Sequence, residues 1–308
     1  MLQRVAEKAL AHANVRLSMK VLNIETRISE DGGLNSVVRA ENQEFVFDKV
    51  VVTAPLGCLK QGHIAFDPPI SPEISDAVKD ASISSLEKVF IAFPSAFWER
   101  QGSQEHTTAN GPTSNPPSFV HFLQPTYVPE DQKSWTVELV SLSSPEIFRD
   151  QARPVLLFSL FGHCGSLLTS RLKSVSRESQ EYLDIITNFF RPYFSLLPNY
   201  SESDENCHPS GAVATNWQND DLAGNGSYTN FKVKNVSDAN KVTSYEKIIS
   251  TIREGMPERG ILFAGEHTAP FVATGTLTGA YWSGEIAATK ILLDYGLLRP
   301  KQTDDTKT

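Results

Sequence analysis

Residues 261–284 read ILFAGEHTAPFVATGTLTGAYWSG, and this stretch decides how the rest of the chain is interpreted. Its first four residues form the apolar run of a buried strand, and Gly265 follows where a ligand can approach the backbone closely. Glu266 comes next and is placed to accept hydrogen bonds from ligand hydroxyls. Residues 275–279 predict a helix start, whose free N–H groups and partial positive charge stabilise an anion. The pattern equally suits a capped helix that packs through small residues, so alone it leaves cofactor binding open.

A second buried strand is predicted within residues 50–60, VVVTAPLGCLK. Its carboxyl end presents the backbone of Thr53 and Ala54, and ligands dock at such strand ends in α/β sheets. Pro55 and Gly57 interrupt the strand pattern. Many strands end in this way, so the segment gains weight only beside residues 261–284.

Hydrophobic periodicity predicts alternating strands and helices along the remaining chain. The predicted strands are 16–25, 33–39, 44–53, 87–93, 118–123, 135–142, 155–161 and 260–264, and the predicted helices include 177–194 and 279–293. A loop is expected at 101–118 and a disordered tail at 299–308. These elements indicate a mixed α/β fold.

The composition is that of a folded globular protein and excludes several functional classes. The chain has 308 residues, with 28 Lys and Arg against 36 Asp and Glu, a net charge of -8. Direct nucleic-acid binding is not expected, because it requires a basic surface. A membrane span is not expected either, since no apolar run reaches the ~18 residues required. Three cysteines without CxxC spacing, and histidines without ligand spacing, predict no metal site and favour a reducing, intracellular compartment.

Taken together, residues 50–60 and 261–284 resemble the flavin-dependent amine oxidases, which comprise polyamine oxidases, monoamine oxidases and flavin histone-lysine demethylases. Two further segments match this family in the same order, namely 85–98 (SLEKVFIAFPSAFW) and 215–228 (TNWQNDDLAGNGSY). Residues 15–25, VRLSMKVLNIE, resemble the family's adenine-binding segment. The resemblance therefore covers nearly the whole chain.

The resemblance implies FAD as the cofactor and oxidation of a C–N bond of a polyamine or other amine. A hydride passes from the carbon beside the nitrogen to flavin N5, and the imine is then hydrolysed. Dioxygen reoxidises the flavin and yields hydrogen peroxide. The expected partners are therefore a small-molecule amine and O2, with the cofactor carrying the chemistry.

Two catalytic residues are implied by the resemblance. Lys88 matches the lysine that holds a water against flavin N5, and Tyr228 matches an aromatic residue against the flavin face. A strand-end lysine can also extend to solvent without a function, and a tyrosine can be a core aromatic. For Lys88 the resemblance favours the functional interpretation.

The resemblance also implies a set of cofactor-binding residues: Val21 at the adenine, Thr53 and Ala54 at a strand end, Trp217 and Ser227 near the isoalloxazine, Gly265 and Glu266 at the ribityl chain, and Thr276 and Leu277 as backbone donors at flavin N1/O2. His267 lies in the same motif and is interpreted as a structural histidine. A second aromatic before the flavin, present in many members, falls near Gly275 here.

The main departure from the family pattern is the dinucleotide-binding loop. The only G-x-G is Gly224-Asn225-Gly226, and Thr229 stands where the third glycine of G-x-G-x-x-G is needed. Without that loop, nothing binds the pyrophosphate at a helix N-terminus. We therefore expect a C-terminal portion of an amine oxidase. The alternative to an active enzyme is an inactive fragment, or a degenerate oxidase fold that acts as a binding module.

The expected organisation follows from this assignment. Residues 1–59 and 216–298 are predicted to form an incomplete Rossmann-like FAD-binding domain. Residues 60–215 are predicted to form a substrate-binding domain with a mixed β-sheet flanked by helices, followed by the tail at 299–308.

Overall fold

The fold is described from a computed structural model for residues 2–30, 32–41, 43–99, 118–123, 128, 135–232 and 244–299. The chain divides into two units. The first unit joins Met1–Ser82 to Thr229–Thr308, and the second is the continuous segment Ile83–Tyr228. Of the predicted loop at 101–118 and the predicted tail at 299–308, residues 101–117 and 300–308 lie outside the described residues.

The described residues form both helices and strands. The helices are α1 (Leu2–Leu10), α2 (Leu56–Lys60), α3 (Pro72–Asp80), α4 (Pro145–Phe148), α5 (Gly162–Leu172), α6 (Gln180–Phe194), α7 (Tyr245–Glu254) and α8 (Leu277–Asp294). The strands are β1 (Val21–Ile28), β2 (Leu34–Ala40), β3 (Gln43–Phe47), β4 (Val50–Val52), β5 (Ala65–Asp67), β6 (Ser82–Ser84), β7 (Leu86–Ala92), β8 (Phe119–Phe122), β9 (Val137–Ser141), β10 (Val155–Phe161), β11 (Gly211–Ala214), β12 (Tyr228–Asn230) and β13 (Ile261–Phe263). This confirms the predicted mixed α/β fold.

The first unit contains a four-stranded sheet in the order β3-β2-β1-β5 and a separate parallel pair, β4 and β13. In the four-stranded sheet, β1 pairs antiparallel with β2 and parallel with β5. Strand β13 of this pair is buried, since Ile261, Leu262 and Phe263 are each 3% exposed or less, whereas Val51 of β4 is 37% exposed. Two capped helices, α3 and α7, pack against each other through apolar faces that include Ile74 and Ile252.

The predicted strand at 44–53 is two strands that belong to different sheets. β3 pairs with β2, whereas β4 pairs with β13. The chain changes sheet at residues 48–49, where the Val50 amide donates to the carbonyl of Gly260 at 2.8 Å. The apolar pattern of residues 44–53 is continuous in the sequence, and the break between β3 and β4 is set by the different strands with which they pair.

Helix α8 is apolar around much of its circumference, yet in this structure much of it is exposed. Leu277, Tyr281 and Trp282 are 57%, 52% and 44% exposed, while the small residues Gly279, Ser283 and Ala287 are buried. Burial is confined to this narrow stripe, along which the small residues let the helix approach its neighbours closely.

The second unit is built on a five-stranded sheet in the order β11-β7-β10-β9-β8. Every pairing in it is antiparallel, whereas a mixed sheet was predicted for this region; the mixed sheet lies in the first unit. Helices α5 and α6 pack against this sheet. The core of the unit is rich in aromatic side chains, among them Phe158, Phe190 and Tyr193. The Ser179 hydroxyl caps α6 by accepting from the Tyr182 amide at 3.2 Å.

The unit boundaries fall at 82/83 and 228/229, rather than at the expected 59/60 and 215/216. Residues 60–82 belong with the first unit because α3 packs on α7 and α2. Within the described ranges, none of the helices has the length and apolarity needed to cross a bilayer.

Candidate functional site

Seven of the residues singled out from the sequence lie in the first unit, and four lie in the second. The first unit holds Val21, Thr53, Ala54, Gly265, Glu266, Thr276 and Leu277. The second unit holds Lys88, Trp217, Ser227 and Tyr228.

In the first unit, two parallel strands place one group of these residues at the same sheet edge. Val50 pairs with Ile261 and Val52 with Phe263, so both strands end at the same level. The Ala264 amide donates to the Val52 carbonyl at 3.0 Å and extends this pairing. Residues 53–54 and 265–266 consequently leave the sheet side by side, as the rule for carboxyl ends of parallel strands requires.

Gly265 adopts a conformation that other residues avoid, with φ 141° and ψ 172°. A Cβ atom at this position would lie 2.7 Å from Cε1 of His267. The Gly265 amide donates to the Ser283 hydroxyl on α8 at 2.8 Å. Glycine is therefore required here both by the backbone and by the imidazole packed against it.

Glu266 connects three segments of the first unit. Its Oε1 accepts hydrogen bonds from the amide and hydroxyl of Thr229, at 3.0 and 2.6 Å. Its Oε2 accepts from the amide of Gly275 at 2.8 Å. The carboxylate thereby fixes the turn that precedes α8 relative to the end of β13.

The N-terminus of α8 follows that turn directly. The Thr276 hydroxyl caps the helix by accepting from the Gly279 amide at 2.9 Å, and it donates to the Ala273 carbonyl at 2.7 Å. Thr276 and Leu277 were the predicted backbone donors, but the Thr276 amide donates to the Ala273 carbonyl at 3.3 Å. The amides of Leu277 and Thr278 have no intrahelical acceptor at this end, and both residues are exposed. These amides are available to an acceptor outside the helix.

The remaining candidate of the first unit lies apart from this group. Val21 is the first residue of β1, in the four-stranded sheet, and is half-buried. The predicted adenine contact therefore stays a prediction.

His267 is 2% exposed, and no hydrogen-bond partner satisfies its Nε2 among the described residues. Burial lowers the pKa of His267 to about 4, because a charged imidazolium is not solvated there. The side chain is thus neutral near pH 7. The imidazole packs against Gly265, and its structural role stays a prediction.

In the second unit, Lys88 lies on β7 with its side chain exposed. Thr215 makes two hydrogen bonds to the Lys88 backbone. The Thr215 amide donates to the Lys88 carbonyl at 2.9 Å, and the Thr215 hydroxyl accepts from the Lys88 amide at 2.8 Å. Lys88 Nζ makes no hydrogen bond or ion pair within the part of the chain that the structure describes. As far as the described residues show, the ammonium is available to a ligand.

Glu87 is the residue of this site that the sequence analysis missed. Its side chain is fully buried, and Oε2 accepts from the Thr215 hydroxyl at 2.5 Å and the Trp217 amide at 3.2 Å. Its Oε1 accepts from the Gln218 amide at 3.0 Å. The signal was present in the sequence, since period-2 alternation places Glu87 on the same inward face as Val89.

The segment anchored by Glu87 carries Trp217, which is 42% exposed. Trp217 lines an open depression of about 550 Å³ within the second unit, together with Arg177, Thr215, Asn216, Asp220 and Leu222. A half-exposed indole beside a carboxylate can attract a cation through its π face. Trp217 is thus a surface aromatic rather than a core aromatic.

The last two candidates of the second unit are adjacent in sequence. The Ser227 hydroxyl donates to the Ser84 carbonyl at 2.8 Å and accepts from the Leu86 amide at 2.9 Å, so it is engaged within the protein. Tyr228 begins β12 and is half-buried. Across the described residues, no group of three or more His, Cys, Asp or Glu side chains could hold a metal ion.

Comparison with known proteins gives a consistent result. The sequence profile of the family described as flavin containing amine oxidoreductase matches residues 1–292. A lysine-specific histone demethylase 1 homolog 1 from Arabidopsis thaliana is 25% identical over 261 residues, which is 84% of this chain and 26% of that protein.

Solved structures share the fold. A redesigned triple mutant of putrescine oxidase has a TM-score of 0.61 and 16% identity, covering 96% of this chain and 53% of that one. Cyclohexylamine oxidase from Brevibacterium oxydans IH-35A has a TM-score of 0.59 and 17% identity, covering 95% and 52%. The chain therefore spans about half the length of these structures, and about a quarter of the demethylase homologue.

Proposed function

Because the chain belongs to the flavin-containing amine oxidoreductase family, we propose that it uses FAD to oxidise the C–N bond of a polyamine or another amine. The observation that supports this most is the joint placement of Thr53, Ala54, Gly265 and Glu266 at one sheet edge, with the N-terminus of α8 tied to it by Glu266. Amine and dioxygen are the proposed substrates.

The residues of the first unit fit the flavin portion of this cofactor. Of the two predicted donors, Leu277 has an amide without an intrahelical acceptor, which suits an acceptor that gains negative charge, whereas the Thr276 amide already donates to the Ala273 carbonyl at 3.3 Å. Glu266 Oε2 has one donor and can accept a second, from a ligand hydroxyl. For the pyrophosphate, the 308 residues supply no G-x-G-x-x-G loop.

When bound, FAD supplies the acceptor for the hydride and for the electrons passed to dioxygen. The protein's own contribution is positioning and electrostatics. We propose that the Lys88 ammonium, which has no partner among the described residues, holds a water molecule and stabilises negative charge on reduced oxygen species. Trp217 and Tyr228 would border the approach of the amine, since aromatic faces attract cations.

The second candidate function is a binding module, or an inactive portion of an oxidase. Its support is that the 308 residues contain no G-x-G-x-x-G loop, and that Glu266 acts as an internal link between Thr229 and Gly275. A carboxylate already satisfied by protein donors contributes to stability whether or not a ribityl chain is present.

A visible absorption spectrum separates the two candidates. The purified 308-residue chain is incubated with FAD and desalted, and spermine or N-acetylspermine is then added without oxygen. Retained flavin bands that bleach on addition of amine support the oxidase. A colourless protein refutes the proposal for this chain and supports the alternative.

A matched pair of glycine variants tests whether retained flavin uses the proposed site. Gly265→Ala introduces a Cβ against His267, whereas Gly284→Ala on α8 meets no atom within 4 Å. We expect flavin to be lost from the first variant and kept by the second. Equal retention by both would contradict binding at Gly265.

A further inference from the structure

Two adjoining cavities lie at the carboxyl end of β11. The larger is the open depression of about 550 Å³ that contains Trp217, and the smaller has a volume of about 130 Å³. Both belong to the second unit, and they share four lining residues, namely Arg177, Ala214, Thr215 and Asn216. One ligand can therefore place one end in each cavity.

The smaller cavity is lined by two cations, and none of the described residues that line it is acidic. Lys173 directly follows α5, and Arg177 lies in the connection between α5 and α6; both residues are exposed. Within the described part of the chain, neither side chain makes a hydrogen bond or an ion pair. The carboxylate of Glu178, next to Arg177 in the chain, instead accepts from the Ser176 hydroxyl at 2.8 Å. Two cations without counter-ions beside one cavity favour an oxyanion.

Two neutral donors also line the smaller cavity. Tyr182 is 3% exposed, and its hydroxyl accepts from the Ala214 amide at 2.9 Å. Among the described residues, nothing accepts the proton of that hydroxyl. Asn216 accepts from Asn219 on Oδ1 at 2.7 Å, which leaves its Nδ2 group as a donor. A buried donor without an acceptor costs free energy, and a bound oxyanion supplies the acceptor.

The larger depression adds an aromatic surface and two negative charges. Trp217 is 42% exposed there, so the indole face is open to a planar ring. Asp220 and Asp221 line this depression but not the smaller cavity. Their carboxylates repel a second anion, so the two cavities together suit a ligand with an anion at one end and a neutral ring at the other. The net charge of -8 means that the chain as a whole does not attract anions.

We propose that these two cavities form an oxyanion site, which binds a phosphate or carboxylate carried by an aromatic ring. The anionic group lies between Lys173, Arg177 and Tyr182, and the ring lies on Trp217. The guanidinium offers paired N–H donors to two oxygens, and the ammonium adds a point charge. This site is independent of the proposed oxidation, because it requires neither an amine nor a bound flavin.

Calorimetric titration of the 308-residue chain at low ionic strength, without flavin, tests this assignment. Phenyl phosphate, inorganic phosphate and phenol separate the contribution of the anion from that of the ring. We expect phenyl phosphate to bind at least about fivefold more tightly than inorganic phosphate, the effect of one stacked ring, and phenol not to bind at the same concentrations. Equal binding of the two phosphates would indicate an adventitious ion only and would overturn the proposal, as would no binding of phenyl phosphate at millimolar concentration.

Benzoate distinguishes the two sources of the oxyanion. Binding of both benzoate and phenyl phosphate would assign the site to aromatic carboxylates and phosphates alike. Binding of phenyl phosphate without benzoate would restrict it to phosphates.

Variants assign the affinity to individual side chains. Arg177→Gln is expected to weaken phenyl phosphate binding on the order of tenfold, and Lys173→Met by about threefold, since the ammonium is exposed. Trp217→Ala is expected to remove the preference for phenyl phosphate over inorganic phosphate. Arg149→Gln and Lys247→Met remove the same charges at exposed positions that line neither cavity, and should leave the affinity intact. Equal losses in Arg177→Gln and Arg149→Gln would reduce the effect to net charge and contradict the site.

The oxidase and the oxyanion site fail in different ways. A chain that binds phenyl phosphate as expected but retains no flavin would refute the oxidase and leave the oxyanion site standing. A chain whose flavin is bleached by spermine, but which binds phenyl phosphate no better than inorganic phosphate, would support the oxidase and refute the oxyanion site. Because the probe comparison uses the wild-type chain, a variant that fails to fold does not prevent the test.

Discussion

Removal of the Glu87 carboxylate is expected to destabilise the second unit and to release the segment that carries Trp217. The side chain is fully buried and accepts hydrogen bonds from Thr215, Trp217 and Gln218. Thr215 in turn accepts from the Lys88 amide, so the chain of contacts runs from Trp217 to the backbone of Lys88. Glu87→Ala leaves all three donors without their acceptor.

The expected magnitude follows from these three contacts. A hydrogen bond to a charged group contributes about 1.5–3 kcal/mol, and a buried donor left unsatisfied costs about 1–3 kcal/mol. Trp217 is exposed and Gln218 is half-buried, so their amides regain part of this loss from water. We therefore expect Glu87→Ala to lower the free energy of unfolding by about 3–5 kcal/mol, and Glu87→Gln, which keeps one acceptor oxygen, by about 1–2 kcal/mol.

Urea denaturation followed by circular dichroism measures the loss, and hydrogen exchange at the amides of Trp217 and Gln218 reports whether the segment is released. Glu146→Ala removes an exposed carboxylate from the same unit and is expected to change stability by no more than about 0.5 kcal/mol. A loss below about 1 kcal/mol in Glu87→Ala, or unchanged exchange at both amides, would refute the anchoring role of Glu87.

Three further outcomes are expected. Gly265→Ala should lower stability by about 2–4 kcal/mol, because it combines a Gly-only backbone conformation with a clash against His267. Gly284→Ala should instead stabilise α8 by up to about 1 kcal/mol. Thermal unfolding of both variants checks this difference, and equal melting temperatures would contradict it. Folding lowers the pKa of His267 from 6.5 to about 4, so between these pH values the unfolded chain binds more protons than the folded chain. The stability that depends on His267 is therefore full above pH 6.5 and decreases by about 3 kcal/mol as the pH falls to 4. Denaturation at several pH values should show this slope reduced in His267→Gln; an unchanged slope would assign it to other groups. Lys88→Met should leave the melting temperature unchanged but lower amine-dependent oxygen consumption at least tenfold. Lys247→Met, at an exposed position of the first unit, is the charge-matched control. Equal rates in both variants would exclude Lys88 from the reaction.

Local patterns in the sequence predicted most of the elements, because periodicity and capping act over short distances. The helix predicted at 279–293 is Leu277–Asp294, and the one predicted at 177–194 is Gln180–Phe194, which begins after the Ser179 cap. The strand predicted at 16–25 is Val21–Ile28 instead. Ser18 has a positive φ of 56°, which is incompatible with an extended strand at that point.

Contacts between distant segments could not be predicted in the same way. Glu266 was expected to face a ligand, and nothing near it in the sequence indicates that Thr229 and Gly275 donate to its carboxylate. Glu87 was not predicted as a site residue, because the family resemblance in this segment pointed to the neighbouring Lys88. Its partners lie on a segment well over a hundred residues further along the chain, and only the pairing of β11 with β7 brings the two together.

The pairing of β4 with β13 has a consequence for the order of assembly during synthesis. The second unit is one continuous segment, so all of its contacts are available once residue 228 has left the ribosome. The first unit needs strands from both sides of that segment, and β4 must wait for β13 to be translated. We expect the second unit to become protease-resistant on stalled nascent chains long enough for residue 228 to have left the exit tunnel, while residues 43–82 remain cleavable until residue 263 has also emerged.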